Sequence, residues 1–139
     1  MILTELIHPE LLAALGKAGH GSKILLADGN FPHGTGAAAD ATRIYLNLAP
    51  GLLTVDQVLA VLRTAVPFEA AEVMAPSEGF EAPAIDGYRA ALPELELVEH
   101  ERFAFYEAAR HPDVAIVIAT GDTRFFACLL LTIGVRWPE

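Results

Sequence analysis

The chain has 139 residues, 18 acidic against 9 basic side chains, a formal charge of −9 and an apolar share of 53%. That length suits one compact domain over residues 1–139, and that apolar share calls for a buried core, enlarged by subunit interfaces, rather than disorder. The acidic balance, unbroken by any basic cluster, argues against nucleic acid and anionic membranes as partners and leaves neutral small molecules compatible.

Cys128 is the single cysteine, so an internal disulfide is excluded and a reducing, cytoplasmic setting is expected. The stretch from Met1 to Gly19 lacks the basic start and apolar centre of an export signal. No apolar run reaches the length of about 18 residues that a membrane span needs.

Pro9 precedes Glu10-Leu11-Leu12-Ala13-Ala14-Leu15, which predicts a helix with proline in its first turn, Leu11, Leu12 and Leu15 on its apolar face, and a stop near Gly19. Gly19-His20-Gly21 follows. Histidine exchanges protons near neutral pH, and flanking glycines let another molecule approach it. The same tripeptide also reads as a helix stop, with Gly19 as cap and His20 at the negative end of the helix dipole.

Lys23 to Asp28 reads as a short strand buried on both faces, with Asp28 where the strand runs out. Residues 29–40 form a loop rich in glycine and alanine. Its GNFPHGTG segment matches no nucleotide-binding fingerprint. Alternation through Ile44, Leu46 and Leu48 predicts a strand with one buried face. Thr54 and Gln57 have capping-box spacing, and Val55, Val58, Leu59 and Leu62 recur at the helical period before Pro67.

Beyond Pro67, a short strand is predicted over Glu72–Ala75, weak helix over 82–91 and another strand over Glu96–Glu99. Arg102–Arg110 reads as a helix with Phe105, Tyr106 and Ala109 on one side. Val114–Ala119 is a strongly apolar strand, Thr120-Gly121-Asp122 turns the chain, and a last strand covers Phe125 to Ile133. Strands alternating with helices predict a layered α/β fold. The short final connection adds an antiparallel pair and makes the sheet mixed.

Gly19-His20-Gly21, Asp28 with Phe31-Pro32, and Arg102-Phe103-Ala104-Phe105-Tyr106-Glu107 together resemble the RbsD/FucU family of sugar mutarotases. The likeness is collinear from the first helix to Gly134-Val135, and the RFAFYE phrase is more similar to the fucose branch than to the ribose pyranase branch. The resemblance implies a three-layer α/β/α fold with a mixed sheet. It further implies a ring-like homo-oligomer, commonly a decamer, with monosaccharide sites near subunit contacts, and a cofactor-free cytoplasmic isomerase.

By position, the resemblance makes His20 the catalytic acid, Asp28 a sugar-binding carboxylate and Arg102 a donor to sugar hydroxyls. The family's last binding segment is Tyr, a small residue, then Asn. Here it reads Phe126-Ala127-Cys128, which keeps a ring for stacking and loses the phenolic hydroxyl and the amide. Asn30 stands where the fucose branch carries histidine, and His33 is slightly displaced from another.

Opening a cyclic hemiacetal takes a proton from the anomeric hydroxyl and delivers one to the ring oxygen, and reclosure reverses both transfers. Each residue also has a plainer role. Asp28 alternatively caps the following turn, Arg102 pairs with Glu99 or Glu101, and Cys128 and Phe126 simply pack. A metal site would recruit His20, Asp28, His33 and His100, which lack a compact ligand motif, so no metal is implied. The rival from another class is a non-catalytic monosaccharide-binding or regulatory oligomer that has lost turnover through its altered last segment.

Overall fold

In the computed structural model, which describes residues 1–139, the elements run α1 (Pro9–Lys17), β1 (Lys23–Ala27), β2 (Thr42–Tyr45), α2 (Val55–Leu62), β3 (Phe68–Met74), α3 (Pro83–Ala91), β4 (Leu97–His100), α4 (Arg102–Ala109), β5 (Val114–Ala119) and β6 (Leu129–Ile133). The six strands form one sheet in the order β2-β5-β1-β6-β3-β4. Pairs β2/β5, β5/β1 and β3/β4 are parallel, and β6 runs antiparallel to both its neighbours, β1 and β3.

Successive strand side chains point to opposite faces, so Ile24 and Leu26 of β1 enter one core while Leu25 and Ala27 enter the other. The first core joins the sheet to α1, α2 and α3 through Leu11, Val58, Leu62, Ile85 and Tyr88. The second joins it to α4 through Phe105 and Ala109, and to the 31–41 loop through Phe31, Ala37, Ala38 and Ala41. These are the three layers. Cover on both faces is why β1, β5 and β6 read as nearly unbroken apolar runs.

Local signals account for the helix starts. His8 caps α1 by accepting the Leu11 amide at 3.2 Å, with Pro9 in the first turn. Thr54 and Gln57 make both halves of a capping box on α2, and Val55, Val58, Leu59 and Leu62 are buried as its period demands. No helix is long and apolar enough to cross a membrane.

Several elements depart from the sequence expectation. Leu12 is exposed, because α1 turns its Leu11, Ala14, Leu15 and Ala18 stripe to the sheet and Leu12 lies about 100° round from Leu11. β2 ends at Tyr45, which leaves Leu48 outside. β3 is longer than expected and begins immediately after Pro67.

The last strand starts at Leu129 rather than Phe125, since Phe126 adopts a left-handed φ of 57° that breaks the extended chain. The sheet is mixed, but β5 and β6 are not partners, because β1 lies between them. Gly19 is not a left-handed cap. α1 closes on the extended Ala18, and Gly21 takes the positive φ of 86° that turns the chain into β1.

Candidate functional site

An antiparallel strand inserted among parallel ones begins where they end. The starts of β6 and α4 therefore meet the carboxyl ends of β1 and β3 at one edge of the sheet, where open α/β sheets place their ligands. Leu26 pairs with Leu129, which brings Cys128, one residue before β6, to the end of β1, where the Asp28 amide donates to its sulfur at 3.4 Å. Val73 also pairs with Leu129, and Met74 pairs with His100 just before α4.

These ends enclose a cavity of about 350 Å³ lined by Asp28, Asn30, Phe31, Met74, Ser77, Phe80, Arg102, Tyr106, Phe125, Phe126 and Cys128. Three of the expected sugar contacts of the last segment and loops, Asp28, Phe126 and Cys128, thus share it with Arg102. Ala127, fully buried between Phe126 and Cys128, turns its carbonyl to the Tyr88 hydroxyl of α3, which donates to it. Tyr88 is itself fully buried. Its burial, with Asp56 nearby, raises its pKa far above the ordinary phenol value.

Asp28 is 7% exposed. Its Oδ1 accepts the Asn30 and Phe31 amides at 3.0 Å each, so the turn-capping role suggested by the sequence is real. Its Oδ2 accepts from the Cys128 thiol at 3.4 Å, and both residues line the cavity. Burial raises the Asp28 pKa despite those donors, while burial and the facing Asp28 charge push the Cys128 thiol well above its ordinary value. A thiol so placed is a poor nucleophile.

Arg102 makes no ion pair with Glu99 or Glu101. Glu99 pairs with Arg89, and Glu101 caps α4 by accepting the Ala104 amide at 2.8 Å. The Arg102 Nε donates to the Tyr106 hydroxyl at 3.2 Å, one helical turn on, and its guanidinium lies 5.6 Å from the Tyr106 ring centre and 5.9 Å from that of Phe103. Its Nη groups donate to no other group of the chain. A buried carboxylate and a fork of donors across an aromatic-walled cavity suit the mixed acceptor and donor pattern of a polyol.

The aromatic wall has two parts. Phe80 meets Phe125 and Phe126 edge-on at 6.0 Å each, and Phe31 meets Tyr106 at 6.1 Å. Met74, Ser77, Phe80 and Tyr106 line the cavity in addition to the residues the sequence points to. For Tyr106 the signal was present, since it stands four residues after Arg102 on one helix face. Ser77 and Phe80 lie in an irregular segment with no periodicity to place them.

His20 lies elsewhere. It precedes β1 whereas Asp28 follows it, and the five steps from Lys23 to Asp28 span about 17 Å. Its Nε2 lies 2.9 and 3.0 Å from the two carboxylate oxygens of Glu69, on the exposed edge where Gly21 donates to the Ile133 carbonyl. The His20 side chain is 56% exposed.

His33 hydrogen-bonds the Asp28 carbonyl at 2.8 Å, and His100 hydrogen-bonds Glu72 at 2.8 Å. His20, Asp28, His33 and His100 therefore do not converge as a ligand set, and no cluster of three or more His, Cys, Asp or Glu has metal-holding geometry.

This fold with its edge cavity defines a recognisable class, and the chain belongs to the RbsD / FucU transport protein family, whose model matches residues 1–136. It is similar to the fucose mutarotase of Homo sapiens, 36% identical over 94% of this chain and 90% of that protein. It is 31% identical to the D-ribose pyranase of Paracidovorax citrulli strain AAC00-1, over 96% of this chain and 98% of that protein. The crystal structure of FucU from Bifidobacterium longum matches with a TM-score of 0.81 at 30% identity, covering 94% of this chain and 96% of that one.

Proposed function

We propose that this chain is a monosaccharide mutarotase that interconverts cyclic forms of fucose or a closely related sugar in the cytoplasm. The observation that carries this reading is the pairing of Asp28 and Arg102 across one cavity, the former a buried acceptor and the latter a fork with free donors. Ring hydroxyls donate to the Asp28 carboxylate and accept from Arg102, while an apolar sugar face stacks on Phe126. The RFAFYE phrase and the human relative favour fucose over ribose.

His20 serves as the proton donor to the ring oxygen, with Glu69 orienting its imidazole. Since His20 and Asp28 sit at opposite ends of β1, the histidine that serves one cavity belongs to another copy of the chain. A ring-shaped homo-oligomer, such as a decamer, supplies that arrangement at every subunit contact. A group or water at the anomeric hydroxyl completes the transfer. General acid–base catalysis of this kind is worth about a hundred- to ten-thousand-fold.

One observation favours a second reading, a sugar-binding oligomer without turnover. Phe126 and Cys128 offer the cavity no phenolic hydroxyl or amide, and the Cys128 thiol is already directed at Asp28. Exchange NMR of the anomeric protons of L-fucose, D-ribose and D-galactose separates the two. Faster exchange of one sugar, lost in His20→Ala, supports the mutarotase. Line broadening without exchange supports the binding protein, and no effect on any of the three overturns both.

A further inference from the structure

Arg43 lies outside the cavity, yet its guanidinium meets four carbonyls of the loop that shapes it. The Nε donates to His33 at 2.8 Å, Nη1 to Ala38 and Ala41 at 3.1 Å each, and Nη2 to Ala37 at 3.4 Å. No carboxylate pairs with it. β2 is an edge strand, and Arg43 pairs with Val117, whose side chain belongs to the loop-covered core. The planar fork therefore rises on the same face as the loop and fills its interior with donors.

The next contact carries the effect to the site. His33, whose carbonyl Arg43 holds, has its Nε2 2.8 Å from the Asp28 carbonyl. That carbonyl can only accept, so the imidazole carries its proton on Nε2. Asp28 in turn binds the Asn30 and Phe31 amides. The loop is tight elsewhere too. A Cβ at Gly36 would come within 2.7 Å of the Pro32 Cγ and 2.9 Å of its carbonyl oxygen.

We propose that Arg43 is a positioning residue that, through His33, fixes the Asp28–Phe31 turn and so aims the Asp28 carboxylate and the Phe31 ring into the cavity. The structural half of this inference stands on the chain alone, and its effect on sugar rests on the mutarotase reading. Lysine cannot replace the arginine, since an ammonium lacks the fork that reaches carbonyls on several sides. Glutamine can replace His33 in part, since its amide still has a donor for the Asp28 carbonyl.

The test compares the unaltered protein with Arg43→Lys, His33→Ala and His33→Gln. Hydrogen exchange of the Asn30 and Phe31 amides, read by NMR without sugar, is expected to quicken about tenfold or more in Arg43→Lys and His33→Ala, with the Val58 and Leu131 amides unchanged. His33→Gln restores most of the protection.

With L-fucose as the probe, KM is expected to rise about tenfold in the first two variants and kcat to stay within about twofold, since the turn serves binding common to ground and transition states. Unchanged Asn30 and Phe31 protection overturns the proposal, as does equal loosening of Val58 and Leu131, which would mark a general loss of packing. Loosened loop amides with an unchanged KM overturn its link to the site. If the unaltered protein exchanges no sugar, the mutarotase reading fails, and the amide comparison still decides whether Arg43 positions the turn.

Discussion

The Cys128 thiol and the Asp28 carboxylate close the floor of the cavity together: Sγ lies 3.4 Å from Oδ2, and the Asp28 amide donates back to Sγ at 3.4 Å. The strand register places them there, because β6 begins beside the end of β1. A thiol is a weak donor, so Asp28 is buried with less support for its charge than an amide would provide. In Cys128→Asn the added N–H donors strengthen that support and give the ligand a further polar contact. The expected result is a several-fold lower KM for L-fucose, with about 1–3 kcal/mol lost to overpacking in a full site. Steady-state exchange kinetics and a thermal melt check both halves, and an unchanged or higher KM counts against the amide.

Asp28 supports a prediction about stability as well as binding. Its folded pKa is raised by burial, so the folded state holds the proton more tightly than the unfolded state does. This term favours folding at low pH. It is lost as pH rises from the ordinary aspartate value through the raised folded one, above which the buried charge opposes folding. Asp28→Asn removes that cost while its Oδ1 still accepts the Asn30 and Phe31 amides. The variant is expected to melt at or above the unaltered temperature at pH 7 and to lose at least about tenfold in sugar affinity. A clear loss of stability at pH 7 would show that the turn needs a charged cap.

How far the sequence disclosed these features depends on the range of the force behind each. Thr54 with Gln57, Pro9, and the apolar run Val114–Ala119 act within a few residues, and each element they signal is present. Leu12 and Leu48 misled because an apolar residue at an element's margin does not reveal which way the element is rotated. Asp28, Arg102, Phe126 and Cys128 were legible as candidates through family resemblance, and they meet because β6 is antiparallel, a relation no local pattern encodes. Tyr88 and Glu69 carry no local signal, since each matters through a contact with a segment 39 or 49 residues away, whereas Arg43 reaches back only 2 to 10 residues, to carbonyls of an irregular loop that no periodicity places.

The Tyr88 hydroxyl holds the Ala127 carbonyl from beneath, so α3 supports the segment that carries Phe126 and Cys128 into the cavity. Phe126 has a left-handed backbone, which bulky side chains rarely adopt without such support. Tyr88→Phe leaves a buried carbonyl without its donor and is expected to cost about 1–3 kcal/mol. Because the loss falls beside the site, the KM for sugar is expected to rise as well. A melt lowered without any change in KM would confine Tyr88 to packing.

Glu72 receives Lys23 at 3.0 Å and His100 at 2.8 Å, linking β1, β3 and β4 across β6 on one face of the sheet. Burial alone would raise its pKa, but the hydrogen bonds from His100 and Lys23 and the Lys23 charge outweigh burial and lower it. A depressed carboxylate stabilises the fold above its unfolded value and loses that contribution as pH falls through the folded one. Glu72→Gln is expected to cost about 2 kcal/mol at pH 7, an amount set by leaving Lys23 and His100 without their acceptor charge. The difference between the two proteins should shrink as pH drops below the ordinary glutamate range, because the unaltered Glu72 then protonates too. Denaturant midpoints at pH 7 and pH 3 measure it, and a gap that widens in acid contradicts the assigned sign.

The separation of His20 from Asp28 leads to a test that needs two inactive proteins. β1 holds the two residues at opposite edges of the sheet, so no rearrangement of side chains within one fold brings them together. A cavity completed by a neighbouring copy behaves differently from one completed within a chain. His20→Ala and Asp28→Asn are each expected to lose nearly all sugar exchange as homo-oligomers. Dissociated, mixed in equal amounts and reassociated, they should regain a substantial fraction, because some contacts then join an intact His20 to an intact Asp28. Within a single chain every subunit would still lack one of the two groups, so mixing would restore nothing. Recovered exchange that rises with the mixing ratio and peaks near equal amounts places the histidine in the neighbour's cavity. Activity that stays at the level of the separate variants, in oligomers shown by native mass spectrometry to be mixed, rules that arrangement out.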